Sequence, residues 1–185
     1  KVASEKTLKI IAIGEHTVSG IGVDFHKNGF IGTLAKEISS KKKVSVLWKV
    51  YAESNYTARL IRSKIIPRIE ETNADAIVIG LGYNDAFKLN SPSLWIFQIN
   101  LLIKDLKKRF PKTPIYFTNM HPIKDIPAFN GILKFVIGNL VEILGEKLNQ
   151  QKKVSFACLS DYGDPLQANL IGISFILMTY WMHGN

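Results

Sequence analysis

The sequence predicts an α/β fold: a three-layer, doubly wound sandwich with a five-stranded parallel sheet. Two observations support this prediction. Five short apolar runs recur along the chain with helical patterns between them, and this alternation is typical of a parallel sheet with helices on both faces. The runs are also apolar almost throughout, as expected for strands covered on both faces. Right-handed crossovers then favour a doubly wound order with the functional site at the carboxyl ends of the strands.

The predicted strands are short and rich in β-branched and aromatic residues. Gly14 directly follows the first run, and Gly80 closes the third. A turn at Pro111 and Pro114 precedes the fourth. The predicted strands cover residues 8–13, 44–51, 74–80, 114–118 and 154–159.

Apolar residues recur at helical spacing between these strands. The predicted helices cover residues 29–40, 56–72, 93–110, 128–151 and 166–182. The second helix has an apolar stripe of Leu60, Ile61, Ile65, Ile66 and Ile69, and the third one of Leu94, Phe97, Leu101, Leu102 and Leu106. Ser91 and Pro92 are typical of a cap and a first helical turn. Gly131, Gly138 and Gly145 indicate breaks or close packing in the fourth helix.

The last predicted helix, residues 166–182, carries no charged side chain. A transmembrane span is one interpretation, but the segment is shorter than the ~20 apolar residues that a spanning helix needs. It also contains Gln167, Asn169, Ser174 and Thr179. We therefore favour a terminal helix packed on the core.

Composition excludes several classes of protein. The 185 residues include 24 basic and 15 acidic side chains, a net charge of +9, and a single cysteine, Cys158. One cysteine excludes an intramolecular disulfide framework, and the four histidines show no metal-binding spacing. We expect a single domain over residues 1–185, with no metal and no cofactor. The lysines are scattered, so the charge indicates a general surface property rather than a nucleic-acid site, although a polyanion-binding module remains an alternative.

Four short motifs fall in order at the ends of predicted strands one, two, three and five. The first begins at Gly14 and Glu15, followed by His16, and the second surrounds Asn55. The third is Gly82-Tyr83-Asn84-Asp85, and the fourth runs from Asp161 to Asp164 and Pro165. In order and position these motifs resemble the conserved blocks of the SGNH hydrolases, also called GDSL esterases and lipases. The resemblance covers nearly the whole chain.

The resemblance implies ester hydrolysis by a serine nucleophile, a histidine base and an orienting aspartate, with an oxyanion hole. In the family, the hole is formed by the serine N–H, a glycine N–H of the second block and an asparagine side chain. The matching positions here are His16 for the serine, Asn55 for the glycine, Asn84 for the asparagine, Asp161 for the aspartate and Asp164 for the histidine. Only Asn84 and Asp161 therefore keep the family's residue types.

These departures predict a catalytically impaired SGNH-like protein. Histidine lacks the serine hydroxyl, and an aspartate with an ordinary pKa of about 3.9 is a poor base at neutral pH. The alternative is an active carboxylic-ester hydrolase that uses a rearranged pair of His16 and Asp164 to activate water. His121, after the fourth strand, is the best substitute base if activity persists.

The expected partner is a small-molecule ester or acyl ligand, with no specific nucleic acid. Membrane contact is expected only through a segment upstream of Lys1, where a signal or anchor would not be visible. The sequence leaves the substrate, the compartment and the oligomeric state open.

Overall fold

The computed structural model describes residues 7–15, 18, 29–118, 131–150 and 155–157. Five parallel strands form one sheet in the order β2-β1-β3-β4-β5. The strands are β1 (Thr7–Gly14), β2 (Ser45–Ala52), β3 (Ala76–Gly80), β4 (Ile115–Thr118) and β5 (Ser155–Ala157). The predicted doubly wound α/β fold is confirmed. The single domain over residues 1–185 stays a prediction.

Five helical segments within the described residues connect or flank these strands. They are α1 (Phe30–Lys42), α2, α3 (Tyr83–Phe87), α4 (Pro92–Arg109) and α5 (Gly131–Asn149). Helix α2 is irregular: an α-helical turn (Ala58–Leu60) continues as a π-helical turn (Ile61–Ile65) and a 3₁₀ turn (Ile66–Arg68). Pro67 lacks the N–H that a longer α-helix would need, which accounts for the tightening at this end.

The sheet has a hydrophobic layer on each face, which makes three layers in all. On one face Ile11, Ile13, Ile77, Ile79 and Phe117 pack with buried residues of α2, α4 and α5. On the other face Leu8, Ile10, Ala12, Val78 and Tyr116 form a cluster with buried residues of α1. Side chains alternate between faces along a strand, so the near-continuous apolar runs of β1 and β3 serve both layers.

Strand β2 departs from the expectation of cover on both faces. It lies at one edge of the described sheet, and Val46, Trp48 and Val50 pack toward the α1 layer. Leu47, on the opposite face, has 59% of its surface exposed. The apolar run of β2 is therefore only half buried.

Helix α4 begins as predicted but buries a different face. The Ser91 hydroxyl accepts a hydrogen bond from the Leu94 N–H at 3.3 Å, and Pro92 stands in the first turn. The predicted stripe was wrong in part, because Leu94 and Phe97 are exposed. The buried residues are Trp95, Ile99, Leu102, Ile103 and Leu106. The helix is apolar on two adjacent faces, and the face that carries the largest side chain, Trp95, is the one against the sheet.

Helix α5 runs without a break through Gly138 and Gly145. Gly138 is buried, so of the two predicted alternatives close packing holds at that residue. Within the described part of the chain, no helix is long and apolar enough to cross a membrane. The predicted helix over residues 166–182 lies outside the described residues.

Candidate functional site

Three strands end level with one another at the carboxyl edge of the sheet. Gly14, the last residue of β1, lies between Ala52 of β2 and Gly80 of β3. Two further hydrogen bonds extend this register into the loops: Glu15 N–H donates to the Gly80 carbonyl at 3.0 Å, and Glu53 N–H donates to the Gly14 carbonyl at 3.1 Å. The first three motifs therefore lie next to one another at the carboxyl edge of the sheet.

Gly14 and Gly80 permit a close approach that no side chain would allow. A Cβ on Gly14 would lie 2.4 Å from the Gly80 carbonyl oxygen. A Cβ on Gly80 would lie 2.7 Å from Cγ2 of Val18. Both distances are far below van der Waals contact, so the loops after β1 and β3 can lie together only because these positions are glycine.

Glu15 joins the loop after β1 to the loop after β3 through side-chain hydrogen bonds. Its side chain is buried, with 3% exposure for the residue. Oε1 accepts hydrogen bonds from the N–H groups of Gly82 at 2.6 Å and Tyr83 at 2.7 Å, and Oε2 accepts one from Asn84 at 3.0 Å. Gly82 has φ of 136°, which is accessible to glycine and turns these N–H groups toward one carboxylate. Three charge-assisted bonds compensate for the burial of the charge.

Asn84 joins the loop after β3 to the loop after β2 through its side-chain amide. Its side-chain Nδ2 donates to the Ser54 carbonyl at 2.6 Å and to the Tyr56 carbonyl at 3.0 Å. An amide NH₂ has two hydrogens, so both are engaged by main-chain oxygens. Asn84 is buried, and its amide holds residues 54–56 through these two hydrogen bonds.

Asp85 adds a second connection to the loop after β2. Its Oδ2 accepts from the Ala58 N–H at 2.8 Å, and its Oδ1 accepts from the Asn90 side-chain amide at 2.8 Å. Thr57, the N-cap residue of α2, makes no side-chain capping bond. Asp85 therefore caps α2 from outside the helix. Burial raises the pKa of the Asp85 carboxyl above its ordinary value, and the nearby Glu15 charge adds to the rise, whereas the Ala58 and Asn90 hydrogen bonds oppose it.

Asn55 lies between the two carbonyl groups that Asn84 holds. Its side chain is exposed, and its carbonyl accepts a long hydrogen bond of 3.5 Å from Nζ of Lys88. Asn55 and Asn84 are thus in one loop cluster. His16, Asp161 and Asp164, with the substitute base His121, lie outside the described residues, so their roles stay predictions.

Sequence reasoning missed the parts played by Glu15 and Asp85. The motifs contain both residues but do not predict their bonding: both are buried carboxylates that accept hydrogen bonds from main-chain N–H groups. For Glu15 an available signal was an acidic residue directly after the buried end of a strand, since a charge there must be paired or hydrogen-bonded. Among the described residues, no group of three His, Cys, Asp or Glu side chains is arranged to hold a metal ion.

Comparisons with known proteins support the fold and nothing closer. No family model and no curated protein matches the chain. Solved structures do match. AlinE4, described as an SGNH-hydrolase family esterase, has a TM-score of 0.60 and 15% identity over 97% of this chain and 96% of its own. A family 3 carbohydrate esterase of Clostridium thermocellum has a TM-score of 0.62 and 19% identity, over 96% and 94%.

A third match is a member of the lipolytic G-D-S-L family from Veillonella parvula, with a TM-score of 0.62 and 12% identity. It aligns over 95% of this chain and 99% of its own. Together with the level strand ends and the three joined loops, these likenesses bear out the resemblance found in the motifs. The chain has the fold of the SGNH, or GDSL, esterases and lipases.

Proposed function

We propose that this protein does not hydrolyse esters by the serine mechanism and that it binds a small ester or acyl ligand at the carboxyl edge of its sheet. The observation that carries the proposal is the engagement of Asn84. An oxyanion hole needs a donor aimed at the developing negative charge. Both hydrogens of the Asn84 amide donate instead to the Ser54 and Tyr56 carbonyls.

The sequence at the nucleophile position supports the same conclusion. Glu15 is buried and held by three N–H groups, and the residue that follows it is His16. Imidazole has no hydroxyl to attack a carbonyl, and the aspartate at position 164 is a weak base near neutral pH. Three of the five positions that the family uses are thus occupied by a different residue type.

The choice of ligand rests on likeness. The matched structures are described as esterases and lipases, and in this chain the side chains of Glu15, Asn84 and Asp85 join three loops at the carboxyl edge of the sheet. We infer that loops joined in this way, without the serine and histidine of the family, serve binding. A carboxylic ester or an acyl group is the ligand class we expect.

The decisive experiment is a restoration series on the full chain. The parent is expected to show no serine-dependent turnover of p-nitrophenyl acetate and no labelling by a fluorophosphonate. The triple variant His16→Ser, Asn55→Gly and Asp164→His should gain labelling but only weak turnover, because the Asn84 amide still donates to the Ser54 and Tyr56 carbonyls, while His16→Ser alone, the matched control, should gain neither. Brisk turnover by the parent, blocked by the fluorophosphonate, would overturn the proposal.

The same assay separates the alternative of a rearranged His16 and Asp164 pair. That alternative predicts parent turnover that resists the fluorophosphonate and falls by orders of magnitude in both His16→Ala and Asp164→Ala. Ligand binding is measured separately, by the rise in melting temperature with short acyl esters and their acids. Absence of any rise across a series of chain lengths would contradict the binding half of the proposal.

A further inference from the structure

Most of the exposed large apolar side chains in the described residues lie at one end of the molecule. Ile132 and Phe135, on the first turns of α5, are 84% and 71% exposed, and Val136 beside them is also exposed. Leu89, after α3, and Leu94, on the first turn of α4, are exposed as well. We call Leu89, Leu94, Ile132, Phe135 and Val136 the carboxyl-edge rim.

The topology places these residues together at the site end of the sheet. Helices α4 and α5 each connect two parallel strands, so each runs back from the carboxyl edge and has its first turn there. Helix α3 contacts α5, and α4 contacts α5. Exposed large apolar side chains that gather at one end of a globular protein indicate an interaction surface.

Two exposed side chains near the rim are positively charged, which favours an anionic partner. Lys88 lies in sequence beside Leu89 and is exposed, as is Arg59 on the first turn of α2. Among the described residues of this end, Glu15 and Asp85 are buried, and the exposed Glu53 forms an ion pair with Arg68 at 3.9 Å. The whole chain carries a net charge of +9.

Acidic side chains on the two long helices stand well away from the rim. Along α5 the first is Glu142, which at a rise of ~1.5 Å per residue is about 15 Å beyond Ile132. Along α4 the first is Asp105, about 16 Å beyond Leu94. Interfacial side chains enter a bilayer to a depth of ~5–10 Å, so the rim could insert while these carboxylates stay in water.

We propose that the carboxyl-edge rim docks the protein on an anionic phospholipid bilayer, with the rim in the headgroup region and Lys88 and Arg59 facing acidic headgroups. This docking surface is separate from the upstream segment through which the sequence suggested membrane contact. It also holds whether or not the site hydrolyses an ester.

Co-sedimentation of the full chain with vesicles tests this docking. The chain is expected to bind phosphatidylcholine vesicles that contain phosphatidylserine more strongly than phosphatidylcholine alone. Raising the salt from about 0.05 M to about 0.5 M should weaken the binding, because the Debye length shortens. Ile132→Ser combined with Phe135→Ser should lower the partition coefficient on the order of a hundredfold, and Lys88→Gln should lower it about fivefold on the anionic vesicles alone.

The matched control is Leu47→Ser combined with Ile143→Ser, which removes two exposed apolar side chains away from the rim and should leave binding unchanged. Equal loss in the two double variants would overturn the proposal, as would a parent that binds neither kind of vesicle. The other occupants are a second copy of the chain, which sedimentation velocity detects, and the apolar segment 166–182 that we expect to pack on the core. A monomeric parent that binds neither kind of vesicle is the outcome for that segment, and it overturns lipid docking. A parent dimer that the rim variants convert to monomer, with vesicle binding unaffected, would assign the rim to self-association and overturn lipid docking.

Discussion

At the scale of single residues, the Glu15 side chain accepts more hydrogen bonds than those of Asn84 or Asp85, the other two described side chains that join the loops. One carboxylate receives three consecutive main-chain N–H groups, from Gly82 to Asn84. Hydrogen bonds to a charged acceptor are stronger than neutral ones, and leaving a buried donor unpaired carries a further cost. Glu15 therefore helps to determine where the loop after β3 lies.

Glu15→Gln should destabilise the protein by about 1.5–3 kcal/mol. The new NH₂ group would face a main-chain N–H, so at least one of the three bonds would be lost along with the charge. Urea unfolding measures the change in the free energy of unfolding. Glu53→Gln is the control, because that side chain is exposed in a 3.9 Å ion pair with Arg68 and should change stability by no more than about 0.5 kcal/mol. Equal effects in the two variants would contradict this assignment.

Asp85 gives the fold a pH dependence of definite sign. The pKa of Asp85 is raised in the folded protein, chiefly by burial, so the folded state holds its proton more tightly than the unfolded chain does. The contribution of Asp85 is most favourable below the ordinary value of 3.8. It declines as the pH rises from 3.8 through the raised pKa and is constant above it.

The measurement is the free energy of unfolding of the parent minus that of Asp85→Asn at a series of pH values. We expect this difference to fall as the pH rises through that window. Titrating groups that do not interact with Asp85 are common to both proteins and cancel. A difference that is flat with pH, or that grows as the pH rises, would show that folding does not raise the pKa of the Asp85 carboxyl.

At the scale of elements, α4 provides a test of which face supports the core. Trp95 is fully buried, whereas Phe97, two residues further along the same helix, is 56% exposed. Trp95→Ala should destabilise by about 3–5 kcal/mol, since it leaves a cavity beneath the helix. Phe97→Ala, the matched aromatic control, should change the free energy of unfolding by less than about 1 kcal/mol. Comparable losses would support the stripe that the sequence first indicated.

The elements were largely predictable because their signals are local. The first four strands were located to within about two residues at each end, since short apolar runs bounded by turns have few other interpretations. The Ser91 cap and Pro92 were read correctly for the same reason. The buried face of α4 was not, because residues 94–106 are apolar on two adjacent faces and only the tertiary contacts choose between them.

The candidate site was predictable in position but not in its internal bonding. Parallel strands bring their carboxyl ends to one edge, so the place of Asn55 and Asn84 follows from topology. The contacts of Glu15, Asn84 and Asp85 are with main-chain groups of loops, and such groups are present at every residue. No pattern of side chains could indicate which of them each carboxylate or amide would reach.

At the scale of the whole molecule, the sheet is asymmetric in its protection from solvent. β1 is paired on both sides, by β2 and β3, whereas β2 is paired only with β1 in the described sheet. Alternate main-chain groups of an edge strand point away from its partner. The outer face of β2 is also partly exposed, at Leu47.

Hydrogen exchange should reveal this asymmetry. We expect all the amides of β1 and β3 that lie within the sheet to exchange slowly. About half of those in β2, at alternate positions, should exchange orders of magnitude faster, because they have no partner strand. Mass spectrometry or NMR at single-residue resolution distinguishes the two patterns. Uniformly slow exchange along β2 would mean that a second chain or another segment covers this edge in solution.

The frame formed by Glu15, Asn84 and Asp85 has a consequence for how this chain can change. Six described hydrogen bonds join the loops after β1, β2 and β3 through these three side chains, and each has a main-chain group as its other partner. Main-chain groups are present whatever the side chain, so the residues that supply them can be substituted without removing the bonding group. The loops can therefore differ in side chains, and so in what they recognise, while their main chains stay joined, provided that Glu15, Asn84 and Asp85 are kept.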